Sequence, residues 1–443
     1  MKNRYLKTLL ALAVLAAVWG GGVYWNRRLK KRKATVAHRQ KVLPLKTQQI
    51  ESFTLTPRTG PAVSCARQKG KWEIVKPRPL PADATNIGGL LNSLTDATVH
   101  EVVEPHPAHL KDYGLDPPAE TIEVTTDATP PTFTLLLGDS TPTDSGLYAQ
   151  VAGKPAVFTL ANYMKASLEK NLFDLRDKRA VTLNVDQLQE IQVSSGKKSY
   201  TLAKNPEGAW DLMLPPAVRA DHFSVEDMVD DLRSLQMQSI LEETKANLPR
   251  YGLNAPQMTI RLTGAGQTQT LLIGKKHQGN YDAMNTSLDP VFTLGSDFFA
   301  DFHKSPDQLR DKNLFSFSTF DAKKVDITTP KGHWTFQQQK NHWKETAPSS
   351  KKELSAKVED LIDQLSDLEA KSFPAQNPTD LAAYGLTHPP YRFEVTYGAK
   401  NQTQTVEAST VGEHVYARRS TDLAPAEISK SDLSKIEKAL SAL

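Results

Sequence analysis

Hydrophobic positions along this chain switch between two periods, and the switch comes round three times. Val225, Met228, Val229, Leu232 and Leu235 recur at three- and four-residue steps, as do Leu354, Val358, Leu361, Leu365 and Leu368. Each spacing sets its apolar residues on one face of a helix. Elsewhere the pattern is alternation, or short apolar runs bounded by Gly, Pro, Asp and Asn, which predicts strands. Glu190-Ile191-Gln192-Val193 and Ser199-Tyr200-Thr201-Leu202 lie ahead of a helix. Ile122-Glu123-Val124, Ile260-Arg261-Leu262 and Phe393-Glu394-Val395 lie after one.

Each member of that last group follows what reads as a helix stop: Tyr113-Gly114-Leu115-Asp116-Pro117-Pro118, Tyr251-Gly252-Leu253-Asn254-Ala255-Pro256 and Tyr384-Gly385-Leu386-Thr387-His388-Pro389. The Gly enters the left-handed region past the last helical residue, the Leu packs back onto the final turn, and the Pro prevents the helix from resuming. Other landmarks keep the same order. Trp72, Trp210 and Trp343 each precede their Tyr by 41 residues. Leu135-Leu136-Leu137-Gly138 recurs as Leu271-Leu272-Ile273-Gly274 and weakly as Val411-Gly412. Tyr148-Ala149, Tyr281-Asp282-Ala283 and Tyr416-Ala417 come next, then Val157-Phe158-Thr159-Leu160 with Val291-Phe292-Thr293-Leu294, and Leu175-Arg176-Asp177-Lys178 with Leu309-Arg310-Asp311-Lys312.

Landmarks in one order at a period of about 135 residues indicate domain-sized tandem duplication rather than a short-repeat solenoid. The modules fall at 43–178, 179–312 and 313–443. The third is degenerate, lacking both the Leu-Leu-x-Gly run and the Leu-Arg-Asp-Lys. Within a module two strands come first, then the Trp strand, a Pro-rich turn and, in the first two copies, an Ala-Asp pair (Ala82-Asp83, Ala220-Asp221) leading into the amphipathic helix. A terminal helix such as Asn162 to Leu172 closes the module, and Ile428 to Leu443 would cap the open end of the array.

The amino terminus differs from all of this. Thr8 to Trp25 is an uncharged run of 18 residues, long enough at roughly 1.5 Å per residue to cross bilayer hydrocarbon. Lys2, Arg4 and Lys7 precede it and Tyr24-Trp25 ends it like an interfacial anchor. It lacks a clear small-x-small cleavage site, so an uncleaved anchor (1–26) is preferred to a signal peptide. A basic tether (27–42) follows. The expected fold class is therefore α+β: an N-terminal transmembrane helix followed by three tandem α+β modules.

Charge follows the same division. The chain carries 54 Lys/Arg against 50 Asp/Glu. Residues 1–41 hold eleven of the basic residues and no acidic one, so the remainder is net acidic. An acidic body is a poor match for nucleic acid. The run Arg27-Arg28-Leu29-Lys30-Lys31-Arg32-Lys33 reads as a solvated tether touching anionic headgroups. By the positive-inside rule it would hold the body in the cytoplasm. Cys65 is the sole cysteine, which excludes an intramolecular disulfide and reads as a small buried side chain.

The repeated Trp, Tyr-Gly-Leu-x-x-Pro, Leu-Leu-x-Gly, Tyr-Ala and Val-Phe-x-Leu landmarks resemble the bacterial domain-of-unknown-function family DUF4340, over essentially everything after Leu43. The resemblance implies one N-terminal transmembrane helix with the body outside the cytoplasm, at the inner membrane, in the company of ABC-transporter subunits and gliding-type auxiliary components. On orientation it is preferred to the charge rule. It supplies no catalytic residues.

Candidate chemistry is sparse. His106-Pro107-Ala108-His109 has metal-like spacing, but Pro107 interrupts the helix that would align two ligands, and a surface loop is the better reading. Gly138-Asp139-Ser140 has a hydrolase-like serine whose partner copy is Gly274-Lys275-Lys276, so a turn is favoured. Gly264-Ala265-Gly266 lacks the pattern of a phosphate loop and reads as a hairpin turn. Glu226-Asp227 with Asp230-Asp231 reads as the solvated face of the module-two helix. Trp72, Trp210, Trp343 and the Tyr113-Gly114-Leu115, Tyr251-Gly252-Leu253 and Tyr384-Gly385-Leu386 sets read as structural landmarks rather than a carbohydrate or peptide groove. No cofactor is expected. The functional expectation is a non-enzymatic, membrane-anchored envelope scaffold or accessory subunit of an ABC-type transport system. Its partners would be lipid through Thr8–Trp25 and transporter permease subunits. A peptidoglycan- or polysaccharide-binding module is the alternative, and a hydrolase the third reading.

Overall fold

The computed structural model describes residues 40–443, apart from 128, 130, 215, 216, 341, 348–353, 375–380 and 423. The chain divides into two compact units at Lys178/Arg179. The first holds one antiparallel sheet and the second holds two.

The first sheet comprises β1 (Ile50–Pro57), β2 (Val63–Gln68), β3 (Lys71–Lys76), β4 (Leu80–Pro81), β5 (Glu101–Glu104), β6 (Glu120–Thr126), β7 (Thr132–Ser140), β8 (Gly146–Val151) and β9 (Val157–Ala161), in the order β4-β3-β2-β1-β6-β7-β8-β9-β5. The second has the same order: β10 (Leu188–Ser195), β11 (Lys198–Lys204), β12 (Trp210–Leu212), β13 (Val218–Arg219), β14 (Ser239–Glu242), β15 (Met258–Gly264), β16 (Gln267–His277), β17 (Asn280–Asn285) and β18 (Val291–Leu294) run β13-β12-β11-β10-β15-β16-β17-β18-β14. The third, β19 (Ala322–Thr329), β20 (Gly332–Gln339), β21 (His342–Ala347), β22 (Ala370–Ser372), β23 (Tyr391–Tyr397), β24 (Gln402–Val411), β25 (His414–Arg419) and β26 (Ala426–Ile428), has eight strands ordered β21-β20-β19-β23-β24-β25-β26-β22.

In each sheet the first strand pairs with one that follows it by about 70 residues, as in Phe53↔Val124, Ile191↔Leu262 and Val325↔Val395. Such long-range pairing holds because both strands alternate, so a slip of one residue would turn every inward side chain outward.

One amphipathic helix serves each sheet: α1 (Ala84–Asp96), then, after the short α2 (Met164–Leu168) and α3 (Leu172–Leu175), α4 (His222–Ser234), and, after α5 (Asp297–Phe302) and α6 (Pro306–Leu309), α7 (Ser355–Ser366). The five apolar residues expected on each of the second and third helix faces are all buried. Each such side chain contributes roughly 1.5–3 kcal/mol. Asp83 and Asp221 cap their helices, accepting from the Thr85 and Asn86 amides at 2.9 and 3.0 Å and from Ser224 at 2.8 Å. The backbone before each cap is tied to the Leu-Arg-Asp-Lys segment, with Asp83 N–H donating to Leu175 and Asp221 N–H to Leu309. That segment is thereby conscripted to seat the helix start.

Several expectations are corrected. The class is not α+β but mostly β, built on three large antiparallel sheets. The expected transmembrane helix, and the single-pass inner-membrane location resting on it, find no counterpart: among the described residues no helix is long and apolar enough to cross a membrane. Thr8–Trp25 and the basic run after it lie outside the described residues. Tyr-Gly-Leu does not end the amphipathic helix. An edge strand intervenes, and the motif ends single 3-10 turns at Leu110–Tyr113, Leu248–Tyr251 and Leu381–Tyr384. The terminal helix expected over 162–172 is two short pieces, α2 and α3. The last helix, α8 (Lys430–Ser441), packs Leu433, Ile436 and Leu440 into the core of its own sheet rather than capping an array.

Candidate functional site

The repeated Tyr-Gly-Leu segments build one corner three times. Gly114, Gly252 and Gly385 take φ of 67°, 71° and 65°, a conformation that favours glycine. Leu115, Leu253 and Leu386 donate back to Leu110, Leu248 and Leu381, each at 3.0 Å, and all three side chains are buried. Tyr113 donates to Glu104 at 2.5 Å and Tyr251 to Glu242 at 3.0 Å, fastening the corner to the edge strands β5 and β14. The bond to Glu104 is the main reason the Tyr113 hydroxyl is pushed up to about 12. For Tyr251 burial comes first and Glu242 second. In the first two copies a Glu nine residues before the Tyr is the mark of this fastening in the sequence. The third copy has Ala375 there.

The Leu-Leu-x-Gly glycine lets a strand pass over this corner. A Cβ on Gly138 would stand 2.1 Å from the Tyr113 carbonyl oxygen, and one on Gly274 equally close to that of Tyr251. Register places Ser409, not Gly412, at this position in the third sheet, since Leu137, Ile273 and Ala408 pair with Glu120, Met258 and Tyr391. Ser409 Oγ lies against Gly385. Register also pairs Leu137 with Ala149, Ile273 with Ala283 and Ala408 with Ala417, so Asp282, not Tyr281, stands where the other copies have Tyr148 and Tyr416. Those two tyrosines meet Tyr113 and Tyr384 edge-on, with ring centroids 5.1 and 4.9 Å apart. Asp282 is buried with an unpartnered Oδ1, and burial raises its pKa.

The tryptophans belong to the framework. Trp210 and Trp343 are buried, and Trp72 is half-buried with its ring 5.5 Å from Phe53. Arg67 lies over Trp72 at 4.9 Å and Lys204 over Trp210 at 5.2 Å.

A cluster with perturbed acid chemistry and open volume beside it lies in the first unit. A cavity of about 400 Å³ lies between the β1–β2 turn and the α2–α3 connection. Glu120, the first residue of β6, lines it and is 5% exposed, with Oε1 unpartnered. Burial, then the charge of Glu169, pushes the Glu120 carboxyl up to about 7. Glu169 is raised too, chiefly by burial, with Lys165 working against the rise. The sister positions of Glu120 are Met258 and Tyr391, so the carboxylate is particular to the first copy. Its strand-start position resembles any other in sequence. The burial comes from residues about 50 positions away on both sides.

The remaining candidates are distributed as follows. His106 and His109 are exposed in the loop after β5. Among the described residues no group of three or more His, Cys, Asp or Glu could hold a metal ion. Ser140 ends β7 and accepts from Lys165 Nζ at 3.2 Å, a partner 25 residues away. Gly264-Ala265-Gly266 is the hairpin between β15 and β16, with Ala265 and Gly266 at φ 50° and 73°. Cys65 is fully buried, which pushes its thiol up to about 12. Glu226, Asp227 and Asp230 are solvated, but Asp231 is half-buried against Asp301, and its carboxyl is pushed up to about 6, chiefly by burial.

Comparison with known proteins gives one family. The family model described as a domain of unknown function, DUF4340, matches residues 72–217, 210–389 and 354–439. No curated protein matches the chain. No solved structure matches it. The matches begin at the first repeated tryptophan and together run through all three sheets, so the chain belongs to the DUF4340 family.

Proposed function

We propose that the chain is a non-enzymatic scaffold or accessory subunit of an ABC-type transport system, and that it docks transporter permease subunits through the free edge of its first sheet. The observation that carries the reading is that edge. β5 pairs with β9 on one side and, among the described residues, ends the sheet, and Val102 and Val103 are 53% and 41% exposed on it. The same edge in the second sheet keeps Ile240 and Leu241 half-buried. Apolar side chains on a short open edge are what an added strand covers, with main-chain hydrogen bonds supplying affinity. Glu101 is exposed beside the valines, so the fitting segment is extended, apolar at its centre and basic at its flank.

The test is affinity capture with the full chain and with a Val102→Asp/Val103→Asp variant. Permease subunits should be identified with the wild type and lost with the variant, whose circular dichroism stays unchanged. Capture that contains no permease subunit, or that is the same for both proteins, would overturn the reading.

A further inference from the structure

Beyond the edge strand, the geometry points to a small-molecule site in the first unit: the cavity at Glu120 takes a primary ammonium on a short apolar stem. This does not rest on the docking reading, since the cavity and β5 share no residue.

The cavity holds an acid with an oxygen that has nothing to bond. Glu120 is a buried side chain whose Oε1 faces no donor, which costs free energy unless the carboxyl is neutral or a donor arrives. Glu169 lines the same cavity and adds a second negative charge. The cations nearby have other hydrogen-bond partners, although the Lys165 charge still acts on Glu169. Lys170 Nζ donates to the Ala166 carbonyl at 2.5 Å and Lys165 Nζ to Ser140 Oγ at 3.2 Å. Arg58, at the turn after β1, is held by the Gly114 and Pro117 carbonyls and by Asp139. Lys178 lies over the Phe173 ring and donates to the Asp174 carbonyl, while the Asp174 carboxylate caps α3 through the Asn171 amide. Among the described residues no ion pair reaches Glu120 or Glu169. Lys170 lines the cavity, but its Nζ is turned to the Ala166 carbonyl, so among the described residues neither carboxylate has a cation paired with it.

The rest of the wall sets the remainder of the ligand. Pro57, Pro61, Val63, Leu172 and Phe173 give it an apolar face, and an aromatic ring in that face suits an ammonium as well as a methylene stem. A metal ion fits this lining poorly, because two carboxylates among prolines and a phenyl ring leave most of its coordination unfilled. An anion is repelled by both glutamates.

Protonation gives the site a sign. The Glu120 carboxyl, held up to about 7, must lose its proton to pair with the ammonium. Binding therefore strengthens as pH rises and weakens by about tenfold per unit below that value.

Calorimetric titration of the full chain with pentylamine, and with 1-pentanol as its uncharged counterpart, tests this. Pentylamine should bind saturably at pH 8 and weaken on acidification, and pentanol should bind at least about tenfold more weakly. Glu120→Gln, which keeps the shape and removes the charge, should weaken pentylamine to the level of pentanol while leaving the circular dichroism unchanged. Equal binding of amine and alcohol, amine binding indifferent to pH, wild-type affinity in Glu120→Gln, or no saturable amine binding would each overturn the assignment. The pH and pentanol arms use the wild-type chain and decide the matter even where the variant does not fold.

Discussion

Replacing Asp311 by Ala removes the centre of a buried charge cluster that joins the second and third sheets. Asp311 Oδ2 lies 3.2 Å from Arg219 and 3.0 Å from Arg419. The side chains of Asp311 and Arg419 are each 8% exposed, and that of Arg219 is 34% exposed. Arg419 also donates to the Asn313 carbonyl and pairs with Asp422 at 2.8 Å. Beside it, Arg310 stacks over Phe373 at 3.7 Å. Burial is the first cause lowering the pKa of both Arg310 and Arg419, so this is a site where unpaired charge is costly.

Breaking a buried pair by removing one partner costs about 3–5 kcal/mol. Two features reduce that here. Arg219 is a third exposed and rehydrates, and Arg419 keeps Asp422 and the Asn313 carbonyl. The expected loss is therefore about 2–3 kcal/mol. Asp311→Asn should lose less, because an amide oxygen still accepts from Asn313, which donates to Oδ1 at 3.0 and 3.1 Å through its backbone and side chain. Urea unfolding followed by tryptophan fluorescence measures the change, since Trp210, Trp334 and Trp343 all lie in the second unit. A loss below about 0.5 kcal/mol would mean that the buried cluster stabilises no more than an ordinary surface pair.

Two further outcomes follow from the geometry. Glu120 has a folded pKa raised from 4.5 to about 7, so the native state binds more protons than the unfolded chain between those values and stability falls as pH rises through them. Glu120→Gln should flatten that slope and gain about 1–3 kcal/mol on the wild type between pH 5 and pH 8, and parallel stability curves would contradict it. Gly274→Ala drives a methyl into the Tyr251 carbonyl oxygen and should cost about 2 kcal/mol or more in thermal or urea unfolding. Gly295→Ala, which meets nothing within 4 Å, should stay within about 0.5 kcal/mol. Equal effects at the two positions would count against the close approach.

What the sequence disclosed was whatever rests on local spacing. The helix faces of α4 and α7 and the left-handed glycines of the three corners depend on residues a few positions apart. The weight of β structure was harder to see. Strands such as β16, eleven residues long, pass through Gly274, Lys275 and Lys276, where the apolar pattern breaks and the pairing with β17 shifts register before resuming at Lys276. Substitution hid two equivalences: Ser409 stands in for a glycine and Asp282 for a tyrosine, so the copies align by register where they fail to align by residue type. The Leu-Arg-Asp-Lys repeat was visible, but its use in the second copy was not. Arg219 and Arg419, the partners of Asp311, lie 92 and 108 positions from it. Glu120 was hidden for the same reason, because its burial is made by chain segments remote on either side.

Whether the edge at β5 docks permease subunits is decided by placing a photo-crosslinking amino acid at position 103 in cells. The adducts are then identified by mass spectrometry. ABC-transporter permease peptides should be joined at this position and be absent when the crosslinker stands at exposed position 163 instead. Adducts without a permease subunit, or the same adducts from both positions, would contradict docking at this edge.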